Sequence, residues 1–546
     1  MRPPIAKVSP RRRPLPAVVA VSVILSAAAL AACGVGAPTE NSAGNGFAVE
    51  EATVDELQAA MASGELTARR LAELYLARIE AIDRSGPTLR SVLETNPDAL
   101  AIADALDQER RGGRVRGPLH GIPVLIKDNI DTADRMMTTA GSIALEGPAP
   151  ARDAFVAERL REAGVVILGK ANLSEWANFR STSSTSGWSG RGGLVRNPYA
   201  LDRNACGSSS GTGAAIAASL AAIGVGTETD GSIVCPASAN GLVGIKPTVG
   251  LVSRTGIVPI AHSQDTAGPM ARTVKDAALL LAAMAGVDAR DPDTAAADGR
   301  VPAGGYAGAL DPNGLRGARL GVLRGPFVGY SPHADRLFEA AVERMRALGA
   351  EIVDSVELPH AGEYGDSELE VLLYEFKSDL NAYLAGRTGL QVATLEDLIA
   401  FNQAIPDREM PYFGQELFEM AQAKGPLTDA AYRDALARNR RLAGPEGIDA
   451  ALAAHGLDAL VAPTLSPAWV TDLVNGDNYL GASSSPAAVA GYPNVTVPAG
   501  FAMGLPVGIS FIGTAWSEAD LIRFAYAFEQ GTGHRQAPTF APSALR

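Results

Sequence analysis

Short apolar runs alternate with helix-period segments along most of the chain. PVLI at 123–126, VVILG at 165–169, IGVG at 223–226, LGVL at 320–323 and ALVAP at 459–463 are too short for helices. They predict buried strands. Helical spacing lies between them, over 152–164, 272–285, 333–348 and 517–530. Two helix starts precede the first strand. Thr53 and Glu56 stand at capping-box spacing ahead of Leu57 and Met61, and Thr67 leads into Leu71, Leu74, Tyr75 and Ile79 on one face. Such alternation predicts an α/β chain with a largely buried central sheet. Residues 287–314, rich in Asp, Gly, Pro and Ala, read as a surface excursion. No fixed-period repeat or second compositional regime interrupts the pattern, so 49–546 reads as one large domain.

The N-terminus follows a different pattern. Arg2, Lys7, Arg11, Arg12 and Arg13 crowd its first 14 residues without an acid, and an apolar run follows from Leu15 to Ala32. A basic segment, an apolar segment and small residues at a cut site make a secretory signal. The Leu30-Ala31-Ala32-Cys33 ending resembles a bacterial lipobox. That resemblance implies a leader over 1–32, a lipid on Cys33 and an exported protein anchored to the membrane at the cell envelope. Plain cleavage, or an uncleaved anchor, fits the same residues. Residues 33–48 then form a flexible tether, since GVGAPTENSAGNG at 34–46 carries no apolar periodicity.

Composition narrows the partners. The 546 residues are 47% hydrophobic and 20% charged, ordinary for a folded chain. Three cysteines exclude a disulfide-rich scaffold. The balance of 47 basic against 60 acidic residues gives a net −13. Loss of 1–32 removes five basic residues and no acid, which leaves 42 against 60, or −18. Nucleic acid is therefore a poor partner, because phosphate binding needs basic surface.

Three features carry candidate chemistry. Lys127 closes the strand-like run in HGIPVLIKDN. Burial there would favour the neutral amine, a competent base; pairing with Asp128 or Asp131 is the plainer alternative. Gly207-Ser208-Ser209-Ser210-Gly211-Thr212-Gly213 opens a small-residue helix, which suits close backbone approach or a simple N-cap. In the third, IGVG runs through Thr227, Glu228, Thr229, Asp230 and Gly231 to Ser232. Backbone amides in such a turn can face a developing oxyanion, although an ordinary Asp-Gly turn has the same residues. Neither Ser208 nor Ser232 is the central serine of a G-x-S-x-G run, so no nucleophile elbow is indicated at either.

Together these motifs resemble the amidase signature hydrolases. The resemblance rests on LHGIPVLIKDNID at 119–131, the Gly/Ser stretch at 206–213, the block GTETDGSIVCP onward at 226–277, and GYPNVTVPAGF with GLPVGISFIG at 491–513. It implies an α/β fold with a central mixed sheet covered by helices on both faces. Matched by motif, it implies a Ser–cis-Ser–Lys triad of Ser232 as nucleophile, Ser208 as bridge and Lys127 as base. The oxyanion hole falls on the backbone amides of Thr229, Asp230, Gly231 and Ser232. No metal, organic cofactor or obligate protein partner is implied. The family pattern is broken by Cys206, Ser210 and Asp230, each where a glycine is usual, and by Val234, where many members carry Arg. An apolar residue at 234 disfavours a free-carboxylate substrate.

The wider resemblance, through ETDGSIVCP, GLVSRTGIVPI and EFKSDLNAYL, is to bacterial peptide amidases, which release ammonia from C-terminal peptide amides. An acyl-anilide or fatty-amide hydrolase is the alternative within the family, and a non-catalytic binding lipoprotein the alternative outside it. An amidotransferase subunit is disfavoured by the export signal. His120, His262 and Cys235 read as structural. Tyr374, Phe376, Tyr412 and Trp469 are either groove or core aromatics. Cys206 and Cys235 cannot be paired from sequence alone.

Overall fold

A computed structural model describes residues 47–544; the expected leader, Cys33 and the tether through residue 46 lie outside the described residues. Its strands are β1 (Val92–Thr95), β2 (Pro123–Lys127), β3 (Val166–Ala171), β4 (Trp188–Ser189), β5 (Gly193–Leu194), β6 (Ile223–Glu228), β7 (Val243–Lys246), β8 (Thr266–Ala271), β9 (Arg319–Leu323), β10 (Glu351–Val356), β11 (Ala459–Pro463), β12 (Asn494–Ala502) and β13 (Leu505–Ile512). Eleven of them form one sheet in the order β1-β3-β2-β6-β8-β7-β12-β13-β11-β9-β10, while β4 and β5 pair apart. The sheet is mixed. β2 runs parallel to β3 and to β6, and β6 meets β8 antiparallel.

Burial shows why the sheet is sandwiched. Every residue of β2, β3, β6, β8 and β13 is buried. Successive side chains on a strand point to opposite faces, so burial at every position requires cover on both. Helices supply that cover, as the alternating pattern requires. The two N-terminal starts behave as their sequences dictate: Thr53 Oγ1 accepts from Glu56 N at 3.3 Å while Thr53 N donates to Glu56 Oε2 at 2.9 Å. The main core joins the sheet to its flanking helices, and Phe47 already packs against it.

The five expected strands are present, and the expected helices appear as Phe155–Glu162, Val274–Met284, Pro332–Ala347 and Glu518–Thr532. The 287–314 excursion is more anchored than its composition implies. It contains two short 3₁₀ turns, buries Thr294 and Tyr306, and ties Asp288 to Ser253 Oγ at 2.8 Å. Ala297 and Tyr306 join the main core, with Val301, Ala309 and Leu310 packed against it, so apolar side chains hold the segment together with these polar ties.

Candidate active site

The carboxyl ends of the neighbouring parallel strands β2 and β6 meet at one point. Lys127 is the last residue of β2 and is fully buried. Its Nζ lies 2.7 Å from Ser208 Oγ, 2.9 Å from Thr227 Oγ1 and 3.2 Å from Thr227 O. Thr227 sits in β6, and its hydroxyl also accepts from Asn129 Nδ2 at 3.0 Å. Neither Asp128 nor Asp131 is among the bonded partners of Lys127. Burial pulls the ammonium down from 10.5 to about 7, against the opposing charges of Asp265 and Glu228.

Two loops bring the serines to this point. The peptide between Gly207 and Ser208 is cis. A Cβ at Gly207 would collide with Ser174 Oγ, so only glycine fits. Ser174 N donates to Ser208 O at 3.0 Å, and Ser209 Oγ bonds Thr227 O at 3.1 Å. Ser209 N then donates to Ser232 O at 3.2 Å, joining the Gly/Ser loop to the turn after β6. The helix that follows runs Ser210–Ala217 and buries every residue.

The turn itself is pinned at both ends. Glu228 Oε2 accepts from Ile233 N at 2.7 Å and Val234 N at 3.0 Å, which closes residues 229–232 into a loop. Thr229 Oγ1 donates to Asp265 at 2.6 Å, and Asp265 also accepts from Ile260 N and Ala261 N at 2.8 and 3.0 Å. Burial pushes the Asp265 carboxyl up to about 6. Gly231 has φ +78, the left-handed conformation that lets the chain reverse before Ser232. Among the described residues, none of the amides of Thr229, Asp230, Gly231 and Ser232 donates to a backbone acceptor.

Asp230, the departure from the family glycine, has an evident structural task. Its carboxylate accepts from the hydroxyls of Ser484 and Ser485, the latter at 2.6 Å. Glu368, on the helix Gly365–Ala385, lies near enough for the two carboxyls to act on each other and accepts from Gln264 Nε2 at 2.9 Å. Burial pushes both carboxyls up, and the Asp230 charge raises Glu368 further.

Ser208, Ser232 and the turn line a cavity of about 480 Å³. Ser232 is 7% exposed and Ser208 1%. Val234 lines the same cavity, an apolar wall beside the Ser232 turn. Of the four aromatics weighed from sequence, Trp469 alone reaches this lining. Tyr374 packs against Tyr432, Phe376 is core, and Tyr412 is exposed against Trp188. Phe179, Leu372 and Tyr479 line the cavity instead, and no local motif marks them. His120 is buried with Nε2 on Leu106 O at 3.0 Å. His262 lies outside the lining, with Nδ1 2.8 Å from Asp379 Oδ2 and Nε2 3.4 Å from Glu375.

The cysteines give a result that spacing could not. Cys206 and Cys235 form a disulfide across 29 residues. It links the residue before the Gly/Ser loop to the residue three after Ser232. Around it pack Ala239, Leu465, Ala468 and Trp469.

Comparison with known proteins agrees with this architecture. The family model described as Amidase matches residues 70–522. A crystal structure of the peptide amidase PAM with the competitive inhibitor chymostatin is 56% identical at TM-score 0.88, over 90% of this chain and 100% of that one. The native peptide amidase from Stenotrophomonas maltophilia is 56% identical at TM-score 0.86, over 90% and 99%. A probable amidase of Arabidopsis thaliana is 44% identical over 502 residues, 90% of this chain and 92% of its own. The chain belongs to the amidase family, whose signature its motifs resemble, and is a hydrolase of amide bonds.

Proposed function

We propose that this protein hydrolyses C-terminal peptide amides to the free acid and ammonia, through an acyl-enzyme on Ser232. The observation that carries the reading is Lys127 Nζ, fully buried and 2.7 Å from Ser208 Oγ, with burial drawing its ammonium down to about 7. A neutral amine has two N–H donors and one lone pair. The Thr227 carbonyl can only accept and takes one N–H, and Thr227 Oγ1 takes the other. The lone pair is then left for the Ser208 proton. Ser208 in turn takes the proton of Ser232, whose oxygen attacks the carboxamide carbon. The amides of Thr229 to Ser232 stabilise the oxyanion. The relay returns a proton to nitrogen, ammonia leaves, and water repeats the path to release the acid.

Substrate class rests on likeness and on the cavity. The neighbours at 56% identity are peptide amidases, and Val234 puts no cation beside the scissile group. Export with a lipid on Cys33 belongs to the same proposal, with 1–32 as leader, 33–48 as tether and 49–546 as the catalytic domain. The Cys206–Cys235 disulfide favours it, since such bonds persist in oxidising compartments.

Ammonia release is the test, with a C-terminally amidated dipeptide, an acyl anilide and a long-chain fatty amide as substrates. Turnover of the dipeptide amide that Ser232→Ala abolishes supports the reading. Preference for the anilide or fatty amide overturns the substrate class, and activity surviving in Ser232→Ala overturns the nucleophile. Labelled lipid incorporated in cells, and lost in Cys33→Ser, checks the anchor.

A further inference from the structure

A second cavity of about 720 Å³ lies beside the first. Trp469, Asn475, Gly476 and Asp477 line both, so this strip is their common wall. The wall is fixed in place. Asp477 accepts from Ser186 N at 2.9 Å, Trp469 Nε1 at 3.1 Å and Asn204 Nδ2 at 3.3 Å, while Asn475 N donates to Asp472 at 2.9 Å.

The outer cavity is marked by apolar side chains that water reaches. Val470, Leu480 and Met503 line it and are 49%, 48% and 60% exposed. Among the described residues nine large hydrophobics are exposed, and five of them (these three with Val474 and Tyr479) belong to the 470–480 segment or the β12–β13 tip. Exposed apolar groups are ordinary when scattered singly; gathered at a concavity they mark a binding groove.

We propose that this outer cavity is a distal subsite for apolar residues of a longer peptide amide, N-terminal to those seated in the catalytic cleft. The inference rests on the peptide-amide reading above. Its direction follows from the chemistry. With ammonia as the leaving group, nothing of the substrate lies beyond the scissile nitrogen, so the whole peptide must exit on the acyl side. Trp469 and residues 475–477, which face both cavities, are the edge over which it would pass to the outer one. An extended chain advances ~3.3 Å per residue, so only residues several positions from the amide reach it. Remote binding of this kind raises kcat/KM where its energy is used in the transition state.

The experiment measures kcat/KM on the whole chain for peptide amides of increasing length, ending distally in Leu or in Asp. Wild type is compared with the double variant Leu480→Asp/Met503→Asp. Once the peptide is long enough, a distal Leu is expected to raise kcat/KM about tenfold. The double variant should erase that gain and leave the dipeptide amide unchanged. A wild-type profile flat with length, or a variant that slows short and long amides alike, overturns the subsite while the dipeptide amide is still hydrolysed. A chain that turns over other amides but no peptide amide fails the underlying reading instead.

Discussion

Two buried lysines stand side by side at the ends of β2 and β3, and their surroundings differ. Ile126 pairs with Lys170 and Lys127 with Ala171, so the two side chains leave the sheet on opposite faces. Both are fully buried, and burial lowers both. Lys170 Nζ donates to Ile130 O at 2.6 Å and Thr138 Oγ1 at 2.8 Å. The charges of Asp128, Asp131, Asp134 and Glu94 counter its desolvation. Lys127 has only Asp265 and Glu228 to counter its own, and its bonds lead through Ser208 to an open cleft. Burial therefore does not make a lysine a base. The number of acids facing it, and whether a hydroxyl joins it to a cavity, separate the two.

The largest effect expected is at the end of the relay. Ser232→Ala should cut kcat at least ~10⁴-fold with the melting temperature little changed, because only one hydroxyl is removed. Exchanging the lysines for methionine tests the comparison itself. Lys127→Met is expected to lower kcat at least ~10³-fold. Its stability should hold or rise, since Thr227 keeps its bonds from Asn129 and Ser209 and a buried amine is removed. Lys170→Met should do the reverse. It removes a cation whose charge faces Asp128 and Asp131, which keep Arg191 and Arg387 at 3.5 Å, and it takes the closest donor from the buried Ile130 carbonyl. It is expected to cost about 1–3 kcal/mol in denaturant unfolding and to spare kcat in the molecules that stay folded. Equal activity losses in the two variants would end the distinction.

Further tests sharpen it. Cys206→Ser/Cys235→Ser opens the closed 29-residue loop and is expected to cost about 3–4 kcal/mol. Because that loop carries both serines, activity should fall with it, whereas the Lys170 side has no such link. The smallest effect is in pH. Activity should decline toward tenfold per unit as pH falls below about 7, where Lys127 takes up its proton. Stability runs the same way for this group. Its native value of about 7 lies below the ordinary 10.5, so between them the unfolded chain holds more protons and stability rises with pH. In Lys127→Met both slopes should flatten, as read by kcat/KM profiles and by unfolding across pH 6–10.

Legibility varied along the chain for physical reasons. β2, β3, β6, β9 and β11 are short apolar runs bounded by turns, and periodicity finds them. β8 is Thr-Ala-Gly-Pro-Met-Ala, and β12 and β13 carry Pro498 and Pro506. Proline and glycine argue against a strand locally, and only pairing with neighbours on both sides makes these segments strands. Lys127, Ser208 and Ser232 are named by motif; the folded chain sets Lys127 against Ser208, and Ser208 and Ser232 along one cavity, although 105 positions separate Lys127 from Ser232. Phe179, Leu372 and Tyr479 had no such signal, because a cavity lining is assembled from segments remote in sequence.

By itself the sequence determined the α/β class, the family and which serines and lysine to watch, because strand periodicity and signature motifs are local. Tertiary structure alone decided that Lys127 faces hydroxyls while Asp128 and Asp131 pair with Arg191 and Arg387 on the side of Lys170, that Cys206 meets Cys235, and that a second cavity shares lining residues with the first. Each depends on which face of the sheet a side chain leaves and which distant loop covers it. Those are set by long-range packing, which no local window of residues contains.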